Sequence, residues 1–144
     1  MSDYREALRA RLRVEEGERL TAYRDSRGVL TLGVGHNLED PIRPEAAALI
    51  LEHDIDDAER DARALVPTFD ELTPARQGVV VDMAFNLGGI RLAEFHRFLA
   101  ALSARDWMHA ADEMLDSEWA QQVGDRAHRL ADLMRHDNPD KENA

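Results

Sequence analysis

The stretch VEEGERLTAYRDSRGVLTLGVGH, residues 14–36, is where the chain leaves a helical pattern and enters an extended one. Two β-prone runs, residues 21–23 and 29–32, flank a turn-forming cluster at residues 25–28 that ends in glycine, a pattern typical of a β-hairpin. Glycines stand at both ends of residues 33–35. They indicate that the backbone approaches another group closely there or adopts unusual dihedral angles.

Upstream of this stretch, the sequence predicts a short amphipathic helix. From Asp3 to Glu15, apolar residues recur at steps of three and four, and either Ser2 or Asp3 can cap the N-terminus of the helix. Glu16 and Gly17 follow, and glycine suits the left-handed turn that ends a helix. We therefore expect Glu16 at the C-terminal end of this helix.

Downstream of the stretch, the chain reads as a series of helices. Pro44 suits the first turn of a helix, and the apolar stripe that follows it is stopped by Pro67. Thr73 and Pro74 predict a second helix start, and residues 79–87 are apolar nearly all round, which is typical of a buried central helix. Shorter helices are predicted at about residues 93–102, 107–115 and 126–134, with a turn near residue 118.

These elements predict an α+β fold, in which a long helix joins a small N-terminal hairpin lobe to a larger helical C-terminal lobe. We expect a single domain over residues 1–144. Its parts are a hairpin lobe at about residues 13–38, a connecting helix at 44–66, a helical lobe at 67–136 and a flexible tail at 137–144. Two lobes leave a cleft, and clefts are where ligands prefer to bind.

Composition excludes several classes of protein. Of the 144 residues, 44% are hydrophobic and 33% are charged, which is typical of a globular domain. The chain has no cysteine, which excludes disulfides and thiolate metal sites, and we expect no metal or other cofactor. The net charge of -11 argues against nucleic-acid binding. The N-terminus lacks the apolar run of a signal peptide, and no segment approaches the ~20 apolar residues that span a membrane. We therefore expect no stable membrane insertion.

Glu16 and Asp25 are the candidates for catalysis. Glycoside hydrolysis uses two carboxyl groups, one protonated and one ionised, on opposite sides of the scissile bond. The negative end of the helix dipole favours the protonated form of Glu16, whereas a solvated turn rich in donors favours ionised Asp25. Among 29 acidic residues such a pair is not specific by itself, because a helix end and a turn former explain it equally well.

The surrounding motif is far more specific. Residues 14–36 carry a Glu, an Asp nine residues further on, a Thr six residues after that, and then Gly-x-Gly-His. This string resembles the active-site segment of the phage-type lysozymes, glycoside hydrolase family twenty-four, and a weaker likeness extends from Leu12 to about Met134. The resemblance implies a lysozyme-like fold. It also implies an endolysin, a muramidase that cleaves the β-1,4 bond between N-acetylmuramic acid and N-acetylglucosamine in peptidoglycan.

The resemblance further implies a role for each matching position. Glu16 would be the general acid, Asp25 would orient the attacking water or stabilise the developing cation, and Thr31 would hold that water by its hydroxyl. The supporting residues it implies are His36 with Asp54 as a structural pair, Phe85 and Asn86 facing the cleft, and Arg126 as the partner of the catalytic glutamate. Trp107 and Trp119, at helical spacing, are expected in the core rather than as sugar platforms.

Three functions stay open on the sequence. An inverting hydrolase uses both Asp25 and Thr31, whereas a lytic transglycosylase manages with one Glu and forms an anhydro product. A lysozyme fold that has lost activity and only binds glycan or a partner protein would suit the acidic composition. As an endolysin, the protein is expected to be a monomer that acts on peptidoglycan and stays in the host cytoplasm until a holin opens the membrane.

Overall fold

The computed structural model describes residues 3–137, and the chain divides into two compact units, Met1–Ala47 and Ala48–Ala144. They are called the N-terminal unit and the C-terminal unit below. The N-terminal unit holds a helix and a small antiparallel sheet, and the C-terminal unit is built from helices. The predicted α+β class is therefore confirmed.

Helix α1 of the N-terminal unit spans Tyr4–Glu16 and ends where the sequence predicts. The carboxylate of Asp3 accepts a 2.9 Å hydrogen bond from the backbone N–H of Arg5, so Asp3 is the cap. Ser2, the alternative cap, lies outside the described residues. Gly17 follows with φ 75°, a conformation that residues with a Cβ disfavour. The last helical residue is thus the predicted general acid.

Three short strands follow, in the spatial order β1-β2-β3: β1 (Arg19–Arg24), β2 (Leu30–Gly33) and β3 (His36–Asn37). The predicted hairpin is confirmed as the antiparallel pair β1–β2, in which Tyr23 lies opposite Thr31. Strand β3, which pairs with β2 on its other side, is not predicted from the sequence, because two residues are too few to show an alternating pattern.

The C-terminal unit takes most of α2 (Pro44–Leu65), which starts at the predicted proline and ends two residues before Pro67. Helix α3 (Pro74–Leu87) starts at the predicted cap Thr73, whose hydroxyl accepts a 3.3 Å bond from the N–H of Arg76. The remaining elements are a 3-10 turn (Phe69–Glu71), α4 (Gly89–Leu92), α5 (His96–Ser103), α6 (Trp107–Leu115), α7 (Glu118–Val123) and α8 (Asp125–His136). Helix α4 is not predicted, and α7 is predicted only as a turn, because both are too short to show helical periodicity.

The hydrophobic core of the C-terminal unit contains the predicted central helix α3. Val80 and Met83 of this helix have no exposed surface, and residues from each of the longer helices of the unit pack with them. Trp119 is buried and Trp107 is half-buried against the core, so both tryptophans occupy the core positions expected of them. No helix within residues 3–137 combines the length and the apolar composition needed to cross a membrane.

Arg76 is a charged residue buried in this core, with 5% of its surface exposed. Its Nε donates a 2.8 Å hydrogen bond to the carbonyl of Met134, and its guanidinium carbon lies 4.3 Å from the centroid of the Trp107 ring. Burial lowers the pKa of Arg76, and the carboxylate of Asp137 opposes this shift. The Arg76 side chain therefore connects the first turn of α3 to the C-terminal end of α8.

Candidate active site

Glu16 is an exposed side chain at the end of α1. Its two acidic neighbours each lie near an arginine. Oε1 of Glu15 is 4.0 Å from Nε of Arg11, and Oε2 of Glu18 is 4.0 Å from Nε of Arg13. For Glu16, the described residues of the N-terminal unit offer no such cation within 4.0 Å. Among these three glutamates, Glu16 is therefore the one that makes no ion pair with a described residue of its own unit.

The second glycine of the Gly-x-Gly-His motif lies against Glu16. Gly35 is in the two-residue turn between β2 and β3 and has φ 67°. A Cβ built on it would lie 2.9 Å from Oε2 of Glu16 and 3.2 Å from its Cδ. The sequence predicts either a close backbone approach or unusual dihedral angles at this motif. Gly35 shows both, and the group it approaches is the candidate acid.

Asp25 lies in the turn between β1 and β2, where one of its carboxylate oxygens organises the backbone. Oδ1 accepts hydrogen bonds from the N–H of Arg27 at 2.8 Å and from the N–H of Val29 at 2.9 Å. The backbone N–H of Asp25 in turn donates to the carbonyl of Val29 at 3.0 Å. Since an N–H group can only donate, Oδ1 is an acceptor in both bonds. Oδ2 is left for other partners.

Thr31 is buried, with 4% of its surface exposed, in the strand that follows this turn. Its hydroxyl donates a 2.8 Å hydrogen bond to the carbonyl of Val29. A hydroxyl has one hydrogen and two lone pairs, so Thr31 can still accept a hydrogen bond from a further group. Val29, which the sequence does not single out, therefore connects Asp25 and Thr31 through its N–H and its carbonyl.

The candidates of the C-terminal unit have partners inside that unit. Both Nε and Nη2 of Arg126 donate to Oδ1 of Asp82, at 3.1 and 2.5 Å. Oδ1 of Asn86 accepts a 2.8 Å bond from Nε1 of buried Trp119. The sequence predicts Asp82 only as part of the central helix and Trp119 only as a core residue, because the i,i+4 and i,i+3 rules do not reach partners on other elements.

Phe85 and Asp54 line one shallow pocket of about 220 Å³ in the C-terminal unit. The same pocket is bordered by Asp57 and Asp61, and 43% of the Phe85 surface is exposed. The pairing of His36 with Asp54 and that of Arg126 with Glu16 join residues of different units, and both stay predictions.

A larger cavity of about 440 Å³ lies elsewhere in the C-terminal unit. Phe98 and Trp119 contribute apolar surface to it, and Arg91, Glu113 and Glu118 contribute charge. The sequence does not predict this cavity, because its lining comes from five separate helices. Within residues 3–137, no three His, Asp or Glu side chains group closely enough to hold a metal ion.

Comparison with known proteins finds relatives along most of the chain. A family model described as phage lysozyme matches residues 13–138. The chain is 32% identical to the endolysin of Salmonella phage P22, over 73% of this chain and 76% of the endolysin. It is 25% identical to probable T4-type lysozyme 1 of Dictyostelium discoideum, over 89% of this chain and 93% of that protein. It is also 30% identical to the pre-baseplate central spike protein of Enterobacteria phage T4 over 83% of this chain, but it spans only 26% of that protein's length.

Proposed function

Because the chain belongs to the phage lysozyme family, and its domain is that of a lysozyme-type peptidoglycan hydrolase, we propose that it hydrolyses the β-1,4 bond between N-acetylmuramic acid and N-acetylglucosamine. In this proposal, Glu16 is the general acid, Asp25 is the carboxylate that activates water, and Thr31 holds that water. The hydrogen bonding of Asp25 and Thr31 around Val29 is the main support for these roles.

Glu16 begins the reaction by giving its proton to the glycosidic oxygen as the bond to the leaving sugar breaks. A general acid must carry a proton when the substrate is bound and must lie within reach of the leaving oxygen. Glu16 is exposed at the end of α1, and the described residues of its own unit place no arginine within 4.0 Å of it.

The water molecule is positioned by two acceptors. Oδ1 of Asp25 is occupied by the N–H groups of Arg27 and Val29, so Oδ2 is the oxygen that accepts a hydrogen from water. The Thr31 hydroxyl donates its own hydrogen to the carbonyl of Val29, so it can only accept a hydrogen bond from the water. With both of its hydrogens held in this way, the water directs a lone pair at the anomeric carbon. Asp25 takes up its proton as the C–O bond forms.

This arrangement predicts inversion at the anomeric carbon. An inverting glycosidase needs roughly 6.5–9.5 Å between its carboxyl groups, because a water molecule must fit between the carboxylate and the sugar. Here the carboxylate acts through water rather than by direct attack. The first product of a β linkage should therefore be the α-anomer, which proton NMR of the fresh digest detects before mutarotation.

The proposal is tested by digesting purified murein and identifying the new sugar ends by mass spectrometry. We expect reducing N-acetylmuramic acid ends; anhydro ends would instead identify a lytic transglycosylase. The Glu16→Gln variant should lose activity by about 100- to 10,000-fold, the usual worth of general acid catalysis. The matched control is Glu15→Gln, which removes the adjacent exposed carboxylate of the same helix and should stay near the parent rate.

Two outcomes would contradict the proposal. If Glu16→Gln releases fragments as fast as the parent, Glu16 is not the acid. If the parent releases no fragments but is retained by murein in a sedimentation assay, the domain binds glycan without cleaving it.

We also propose where the protein acts. As an endolysin, the protein would wait in the host cytoplasm and reach the wall when a holin opens the membrane, and it would act there as a monomer. A fractionation experiment checks this: the protein should stay with the cytoplasm of intact cells and reach the wall only when a holin is co-expressed.

A further inference from the structure

Gly35 differs from the other glycine of its motif in what surrounds it. Gly33 and Gly35 have nearly the same φ, 69° and 67°. A Cβ on Gly33 would meet no atom within 4 Å, whereas one on Gly35 would meet Oε2, Cδ and Cβ of Glu16 at 2.9, 3.2 and 3.3 Å. Both positions favour glycine for their backbone conformation, but only at Gly35 would a side chain also displace a neighbouring group, the Glu16 side chain.

The contact runs along the Glu16 side chain from its base to its tip. Glu16 is otherwise an exposed residue at a helix end, and a glutamate with three rotatable bonds samples many orientations when nothing confines it. The backbone at Gly35 excludes those orientations of the Glu16 side chain that would overlap with it. Because the turn belongs to β2 and β3, which are paired through Thr31 and Leu32, the wall is attached to the sheet that also carries the water-holding hydroxyl.

We propose that Gly35 is a positioning residue for Glu16: its missing side chain lets the β2–β3 turn act as a wall that holds the carboxyl where it can protonate the glycosidic oxygen. This inference rests on the proposed role of Glu16. A catalytic group must be held within about 0.5 Å of its productive position, and a displacement of about 1 Å can cost on the order of 100-fold in rate. A Cβ on Gly35 would force the Glu16 carboxyl to move.

The test compares Gly35→Ala with Gly33→Ala. Both variants place a Cβ on a backbone with positive φ, so both carry the same conformational cost, and only the first displaces Glu16. We expect Gly35→Ala to lower kcat by about 10- to 100-fold with little change in KM, and to lower it at least tenfold more than Gly33→Ala does. Equal effects of the two variants on kcat would overturn the proposal.

A second readout does not depend on activity. In the parent background, Gly35→Ala should lower the urea unfolding midpoint more than Gly33→Ala does. In a Glu16→Ala background, where the clashing side chain is gone, the two glycine variants should lower it equally. If the difference persists without the Glu16 side chain, the wall is not what distinguishes Gly35.

Failure of the two proposals can be told apart. If Glu16 is not the acid, the stability difference still disappears in the Glu16→Ala background, but Gly35→Ala leaves kcat at the level of Gly33→Ala. If Gly35→Ala does not fold, the contact can be tested by NMR on the parent protein. We expect cross-relaxation between the Gly35 Hα atoms and the Glu16 methylene hydrogens. Its absence would overturn the inference.

Discussion

The two units of the molecule hold their residues in place by different means. Among the described residues of the N-terminal unit, Thr31 alone is buried, and it is polar. Among its described residues, the C-terminal unit buries 21 hydrophobic residues and one charged residue, Arg76. The first unit is organised by backbone turns, glycines and side-chain-to-backbone hydrogen bonds, and the second by apolar packing.

This difference explains why the candidate catalytic residues of the N-terminal unit are also its structural residues. Asp25 and Thr31 position water in the proposed mechanism, and the same two side chains hold the turn before β2, Asp25 through its Oδ1 and Thr31 through its hydroxyl. A carboxylate or hydroxyl in an apolar core would need full compensation for its lost hydration, whereas a turn supplies backbone donors and acceptors at once. The comparison predicts that stability depends chiefly on the C-terminal unit, and activity on the N-terminal one.

The largest effect on stability is expected from Phe98→Ala. Phe98 has 1% of its surface exposed and packs in the core of the C-terminal unit, so its loss should cost about 3–5 kcal/mol of unfolding free energy. The matched control is Tyr4→Ala, which removes an aromatic ring with 69% of its surface exposed and should change stability by about 0.5 kcal/mol or less. Urea unfolding followed by circular dichroism measures both.

Hydrogen exchange of the native protein sharpens this prediction. Amides of α3 should exchange only through global unfolding, and those of the β1–β2 turn through local opening. Phe98→Ala should therefore accelerate exchange in α3 far more than in the turn. Equal acceleration in both places would mean that the two units unfold together, and the distinction between them would fail.

A medium effect is expected from Arg76→Ala. The substitution removes the hydrogen bond to the carbonyl of Met134 and the contact with the Trp107 ring, and we expect a loss of about 2 kcal/mol. Although burial lowers the pKa of Arg76, an arginine stays protonated throughout the neutral range, so the loss should be the same from about pH 6 to 8. Arg129→Ala, at an exposed arginine of α8, is the control and should be nearly neutral. A similar loss in both variants would mean that the buried contacts of Arg76 do not account for its effect on stability.

The parts of the fold that the sequence predicts are those with local causes. Proline at a first turn, threonine or aspartate at a cap and glycine after a helix act on their own neighbours. For this reason Asp3, Gly17, Pro44 and Thr73 mark helix ends correctly. Strand β3 and helix α4 are missed because two and four residues carry no periodicity.

The candidate site shows the same limit. The motif points to Glu16, Asp25 and Thr31 as candidate catalytic residues, and its glycines predict a close backbone approach or unusual dihedral angles. It does not say that Glu16 is the group approached, because that contact depends on how the β2–β3 turn folds back towards the end of α1. The pairing of Arg126 with Asp82 across 44 residues is likewise a product of helix packing that no local rule encodes.

The smallest effect on stability, and the sharpest separation of stability from activity, is expected from Thr31→Val. The carbonyl of Val29 loses the Thr31 hydroxyl but keeps the N–H of Asp25 at 3.0 Å, so the loss should be about 1 kcal/mol. The attacking water loses one of its two acceptors, and kcat should fall at least tenfold. Thr31→Ser, which retains the hydroxyl, should recover most of that rate.

The unfolding midpoint and the rate of fragment release from murein, measured on the same preparations, test both parts of this prediction. Parental activity in Thr31→Val would remove Thr31 from the mechanism. A stability loss as large as that of Phe98→Ala would mean that the N-terminal unit also depends on a core, of which Thr31 is the centre.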